Sequence, residues 1–271
     1  MAFVFGVFGL IVGSFLNVLI FRWGERPLTG RSVCASCRRR IAWYDLIPVV
    51  SWVLLRGRCR MCGAKISIQY VLVEAGTAAI FALIGLSPLP ILMRLLALPI
   101  AALLVAIAAY DLRHTIIPDA WVYTFISLAF LSQLLTLLPQ GSDFLALILS
   151  GPAAAILLFA MWLVSYGRWM GFGDVKLALG IGYLLGPLSG FIAVMLAFIL
   201  GAVVSLAILL PLPLIARLLL RWGITHFAPS QSYTMKSEVP FGPFLVVSTL
   251  TIWLSNMHSL SFGLTLLLGS L

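Results

Sequence analysis

Leu92-Met-Arg-Leu-Leu-Ala-Leu-Pro-Ile-Ala-Ala-Leu-Leu-Val-Ala-Ile-Ala-Ala-Tyr110 holds one charge, Arg94, near its start, and ends on Asp111. A helix of about 20 apolar residues spans the hydrocarbon core of a bilayer. This run therefore reads as a membrane helix that closes on a carboxylate. Seven further apolar runs accompany it, at 2–21, 70–87, 120–138, 144–166, 175–189, 191–215 and 240–260, with an uncertain break near Gly186-Pro187. The chain of 271 residues is 62% hydrophobic and only 9% charged, with a mean hydropathy of +1.15. A soluble domain carries about 25% charge. The expected fold class is all-α: a polytopic membrane protein with about eight transmembrane helices and a small cytoplasmic domain.

Charge sets the expected orientation. With the N-terminus outside, the inner segments are 22–69, 111–119, 167–174 and 216–239. Together with Lys176 they hold sixteen of the seventeen Lys and Arg residues, and only Arg94 falls on the other side. Positive charge concentrates on the cytoplasmic side of membrane proteins. The net charge of +9 then records topology, and a nucleic-acid partner is not expected. The first run has no basic segment before it and no small-residue cleavage site after it, so it reads as a retained helix. The expected organisation is a first helix (1–21), a cytoplasmic tetracysteine domain (22–69) and a multi-helix membrane domain (70–271). No internal repeat is evident. The loop 216–239 carries Arg217, Arg221, His226 and Lys236, and the tail 261–271 is too short to span.

All four cysteines lie in 22–69, as Cys34-Ala-Ser-Cys37 and Cys59-Arg-Met-Cys62. Two CxxC pairs separated in this way match a four-thiolate zinc site. A cytoplasmic setting argues against disulfides. The segment is too small for much of a core, so bound metal would supply folding energy. Arg38, Arg39, Arg40, Arg58 and Arg60 flank the ligands. They offset thiolate charge, meet anionic lipid headgroups, or do both.

Carboxylates near hydrocarbon are costly, and the chain has only eight acidic residues. Asp111 opens Asp111-Leu-Arg-His-Thr-Ile-Ile-Pro118-Asp119, and Asp174 closes Gly171-Phe172-Gly173-Asp174. The topology puts both at the cytoplasmic face. Two carboxylates there can hydrolyse an amide: one takes a proton from water while its protonated partner supplies the leaving amine. Gly171 and Gly173 would let a substrate backbone come close to Asp174, and Pro118 would open the loop after Asp111. Asp119 and Asp174 also fit as helix N-caps. Asp111 does not, because a helix C-terminus disfavours an anion. Glu74 reads either as a first-turn acid or as a site residue. His114 lies three residues from Asp111, and Lys176 is expected to meet headgroups. Serine and zinc-protease motifs are missing.

Further segments carry a resemblance. Gly13-Ser-Phe-Leu-Asn-Val18, Trp43-Tyr-Asp-Leu-Ile-Pro48, Ser51-Trp52, Leu55-Arg-Gly-Arg-Cys-Arg60, Ile66-Ser67, the two aspartate segments and Glu238-Val-Pro-Phe-Gly-Pro-Phe244 appear in order. Together they resemble the bacterial type IV prepilin peptidases, the leader peptidase/N-methyltransferases, a GxGD-type group of membrane aspartic proteases. The resemblance implies an inner-membrane enzyme. It would cleave the basic leader of prepilins or pseudopilins and methylate the new amine from S-adenosylmethionine. It places Asp111 and Asp174 as the catalytic pair and matches Cys34, Cys37, Cys59 and Cys62 to the family's tetracysteine set. It associates Gly57 and Glu74 with methyl transfer or substrate contact. A basic leader meeting a basic domain points to Asp45, Glu74 or backbone groups for recognition. Two other readings stand beside it: a membrane aspartic peptidase without methyl transfer, and a non-enzymatic scaffold or transporter with a structural zinc knuckle.

Overall fold

The computed structural model describes residues 1–24, 27–137, 144–209 and 240–258. The loop 216–239, Glu25, Arg26, Glu238 and the tail 261–271 lie outside the described residues. Eight apolar helices carry the fold: α1 (Ala2–Arg22), α3 (Gln69–Leu86), α4 (Ile91–His114), α5 (Asp119–Leu137), α6 (Phe144–Ser165), α7 (Phe172–Leu185), α8 (Pro187–Val203) and α9 (Gly242–Met257). A π-helical turn, Val204–Leu209, extends α8. Between α1 and α3 lie a 3-10 turn, Trp43–Leu46, and a short helix α2, Val50–Leu54.

All eight apolar runs fold as helices, but they differ in length. Among the described residues, six helices are long and apolar enough to cross a membrane. The other two, α7 with 14 residues and α9 with 16, are shorter than the roughly 20 that a full crossing takes. The short α7 has a local cause. Gly186 takes φ +85°, which ends the helix, and Pro187 starts α8 at once. The break therefore falls at Gly186-Pro187, where the sequence reading places an uncertain boundary.

Lipid tails give helices no hydrophobic reason to associate, so close packing of small residues holds them together. A β-carbon on Gly13 of α1 would lie 2.7 Å from the Glu74 Cα of α3. Gly182 of α7 packs so tightly on α6 that a β-carbon would overlap the Ser150 carbonyl oxygen. Asn17 adds a polar tie by donating from Nδ2 to the Tyr70 carbonyl oxygen at 3.0 Å. Large side chains such as Phe81, Phe125, Leu104, Leu177 and Leu245 fill the centre. α9 packs against α8, α4 and α7, which brings a C-terminal helix between the two that carry the aspartates.

Candidate active site

Asp111 sits in the last turn of α4, and Asp174 in the first turn of α7. α4 continues past Asp111 to His114, and Thr115 closes it with φ +53°, donating its N–H to the Asp111 carbonyl at 2.8 Å. Both carboxylates are buried, at 4% and 9% exposure, and the Ile117 side chain lies against both Gly173, beside Asp174, and Gly242, which bonds Asp111. The structure thus brings together the two residues that the sequence singles out, from positions 63 apart.

A third helix completes the site. The Gly242 N–H, at the start of α9, donates to Asp111 Oδ2 at 3.0 Å. This bond satisfies one lone pair of a carboxylate that its own helix terminus disfavours. Gly242 is a positioning residue that motif reading missed, although it lies within a quoted stretch. A β-carbon there would fall 2.6 Å from Asp111 Oδ2. Ile117 packs between the two halves of the site: β-carbons on Gly173 and Gly242 would lie 3.1 and 3.4 Å from its side chain. The two motif glycines therefore differ. A β-carbon on Gly173 would press on Ile117, whereas one on Gly171 would meet nothing nearer than 3.9 Å. Gly171 borders open space beside Asp174, where a substrate backbone can approach.

Asp119 takes another role. It opens α5, its side chain is 63% exposed, and it pairs with Lys176 of α7. Lys176 Nζ also lies over the Tyr123 and Phe172 rings, at 5.3 and 5.5 Å. The pair ties α5 to the turn that carries Asp174, so the expected headgroup contact gives way to an internal one. Pro118 accepts the Trp121 and Val122 N–H groups and starts α5. His114 stacks on Tyr110 at 4.3 Å.

The four cysteines also converge. Their sulfurs all lie within 4.8 Å of one another, with Cys34 Sγ and Cys62 Sγ 3.8 Å apart. A tetrahedral zinc with Zn–S bonds of about 2.3 Å puts sulfurs about 3.8 Å apart. Each pair sits in a knuckle, and the two knuckles are congruent with an offset of 25 residues. Cys34 and Cys59 N–H groups bond to the carbonyls of Arg39 and Ala64, and Arg38 and Gly63 return bonds to the carbonyls of Cys34 and Cys59. Arg38 and Gly63 both take positive φ. Isolated antiparallel bridges close both, Val33 with Arg40 and Arg58 with Lys65. Here a structural repeat exists that the sequence hides. The N–H groups of Cys37 and Ser36 hold the Cys34 thiol down to about 6. Cys62 receives the Ala64 N–H, yet desolvation and its three neighbouring cysteines push it up to about 11. Four thiols this close resist ionising together, and a divalent cation relieves that conflict.

Gly57 and Glu74 have internal duties. Gly57 opens the second knuckle with φ +66°, its carbonyl accepts the Ile66 N–H at 2.7 Å, and a β-carbon would lie 2.8 Å from the Trp52 ring. Glu74 is buried, and its Oε2 accepts the Val49 N–H at 2.7 Å. Asp45 is held by Arg60 through bonds as short as 2.7 Å. Both acids named for leader recognition thus also hold contacts within the chain.

Residues 7–87 match the Bacterial Peptidase A24 N-terminal domain, and residues 98–206 match the Type IV leader peptidase family. The first range holds the cysteines and the second holds both aspartates. A prepilin leader peptidase/N-methyltransferase of Myxococcus xanthus is 36% identical over 75% of this chain, which spans 62% of that relative's length. One from Dickeya chrysanthemi is 31% identical over 89% of this chain and 87% of its own. An Escherichia coli protein named as a type 4 prepilin-like proteins leader peptide-processing enzyme is 36% identical over 67% of this chain and 76% of its own. No solved structure matches the chain. Its ordered motifs, its buried aspartate pair and these likenesses agree: the chain belongs to the type IV leader peptidase family.

Proposed function

We propose that this chain is a membrane aspartic endopeptidase that removes the leader of prepilins or pseudopilins and N-methylates the new terminus. The observation that carries the peptidase reading is the pair of buried carboxylates, Asp111 and Asp174, at one end of the helix bundle. One carboxylate takes a proton from water as it attacks the scissile carbonyl. The other, protonated, gives its proton to the departing amine. Asp111 works with one oxygen held by Gly242, and Gly171 leaves room for the peptide. The apolar mature helix of the substrate lies in the bilayer, and its leader reaches the cytoplasmic side. The test is prepilin cleavage in membranes bearing Asp111→Asn or Asp174→Asn, read by mass. Processing that persists in both would favour the scaffold or transporter reading.

The topology is eight crossings in the bacterial inner membrane, with a periplasmic N-terminus, the short α7 and α9 being accommodated by local bilayer thinning. The segment 22–69 is the cytoplasmic domain, and 70–271 forms the membrane domain. Cys34, Cys37, Cys59 and Cys62 hold zinc, which ties the two knuckles into one fold. Cys34→Ser in the full chain is expected to drop bound zinc from about one per chain to a small fraction, measured by metal analysis of the purified protein. Stoichiometric zinc in that variant would rule out the four-thiolate site.

S-adenosylmethionine is the methyl donor that the family reading supplies. Gly57 and Glu74, the two positions the resemblance associates with methyl transfer or substrate contact, also bond within their own chain through the Gly57 carbonyl and Glu74 Oε2. Both stand as candidates for methyl transfer or substrate contact. A mass increment of about 14 Da on the cleaved pilin distinguishes the bifunctional enzyme from a peptidase alone.

Lys176 and Asp119 act on the site by position. Lys176→Met is expected to slow cleavage about tenfold through a looser Asp174, while Lys176→Arg keeps most of the rate. Initial rates on prepilin at equal amounts of inserted protein check this. Equal rates for Lys176→Met and the parent would show the pair to be dispensable.

A further inference from the structure

The stretch from Trp43 to Leu54 belongs to the polar domain, yet it presents large apolar side chains outward. Trp43 is 78% exposed, Leu54 75% and Val53 58%, with Tyr44, Ile47 and Val50 exposed beside them. No described part of the chain covers this face. Patches of this kind mark contact sites in a protein that stays folded.

Its depth identifies the partner. The Val49 N–H bonds to Glu74, which lies five residues into α3. At 1.5 Å per residue, that is about 7 Å below the start of the helix. Glu74 in turn packs against Gly13, nine residues before the end of α1, or about 13 Å along that helix. The chain at Val49 therefore runs alongside the first turns of α3 and the last turns of α1 instead of lying beyond their ends. Interfacial segments bury their apolar faces about 5–10 Å deep.

The local bonding fits an environment without water. Irregular backbone at membrane depth needs its polar groups satisfied by protein. Pro48 has no N–H to lose. Val49 donates to Glu74, Val50 to the Pro48 carbonyl at 2.6 Å, Ser51 to Ile47 at 3.1 Å and Val53 to Val49 at 3.1 Å. Trp52 Nε1 donates to the Ile66 carbonyl at 3.3 Å. Asp45, the one acid in the stretch, is neutralised by Arg60. Arg56 and Arg58 follow and are exposed, placed for anionic headgroups.

We propose that residues 43–54 form a re-entrant anchor whose apolar side chains insert into the cytoplasmic leaflet of a phospholipid bilayer, with Glu74 pinning its deepest point at Val49. The anchor holds the tetracysteine domain at the membrane surface. The inference rests on the membrane reading of the helices and is independent of the peptidase reading.

The full chain is placed in nanodiscs of phosphatidylethanolamine and phosphatidylglycerol, with a benzophenone amino acid at position 43, 54 or 39. Prepilin is added and the sample irradiated. Lipid adducts read by mass are expected at 43 and 54 at roughly ten times the yield at the exposed knuckle position 39. Glu74→Leu, which strands the Val49 N–H, is expected to bring the yield at 54 down several-fold. Glu74→Gln, whose amide oxygen still accepts that bond, keeps it. Equal yields at 54 and 39 would overturn the anchor, and so would adducts to prepilin in place of lipid. Should Glu74→Leu fail to fold, the comparison of 54 with 39 in the parent decides.

Discussion

Asp111→Asn and Asp174→Asn are each expected to lower leader cleavage by about 10³-fold or more, and the double variant by little beyond either one. Asparagine keeps the size and shape of aspartate. At position 111 its carbonyl oxygen can still accept the Gly242 N–H, so α4 and α9 stay in contact. What is lost is proton exchange. An amide neither takes a proton from water at neutral pH nor gives one to a leaving amine. Because the pair acts as one unit, removing one partner removes the function of both, and the losses do not add. Prepilin mass in membranes with matched amounts of inserted protein gives the readout. A single variant that keeps a tenth of the parent rate would remove that aspartate from the catalytic pair.

The second large effect lies at Gly242. A β-carbon added there would sit 2.6 Å from Asp111 Oδ2, so either the carboxylate rotates or the start of α9 retreats. Each response lengthens the N–H bond that fixes Asp111. Misplacing a reacting group by about 1 Å costs roughly 10²-fold in rate. Gly242→Ala is therefore expected to reduce kcat about 10²-fold, with a much smaller change in KM. Gly201→Ala is the matched control. It faces α9 as well, but its β-carbon would lie 3.5 Å from the Phe244 ring, an ordinary contact. That variant should cleave at close to the parent rate. Equal kcat for Gly242→Ala and the parent would remove Gly242 from the site.

Much of the site is legible in the chain because its signals are local. Asp111 and Asp174 stand out by cost, since a carboxylate at the end of an apolar run needs a reason. The cysteines stand out by spacing. Gly242 was harder to see. It is one of 23 glycines, and its value depends on a carboxylate 131 residues away. The congruent knuckles escaped for a similar reason. They share their cysteines, and Arg38 and Gly63 adopt one backbone shape from unrelated side chains.

The amino-acid sequence by itself determines that the chain enters a membrane, since apolar length and charge asymmetry are sums along the chain that need no partner. It also singles out the carboxylates and thiols proposed to carry chemistry, by the cost of charge near hydrocarbon and by the CxxC spacing. Tertiary structure alone decides their company. Glu74 holds a strained loop at Val49, where φ is +62°. Asp119 pairs with Lys176, while Asp174 is buried in the first turn of α7. α9 supplies the N–H that steadies Asp111. These contacts join residues from 25 to 131 positions apart. The strength of a hydrogen bond or ion pair is set by separation in space and local dielectric, neither of which is written in the order of residues.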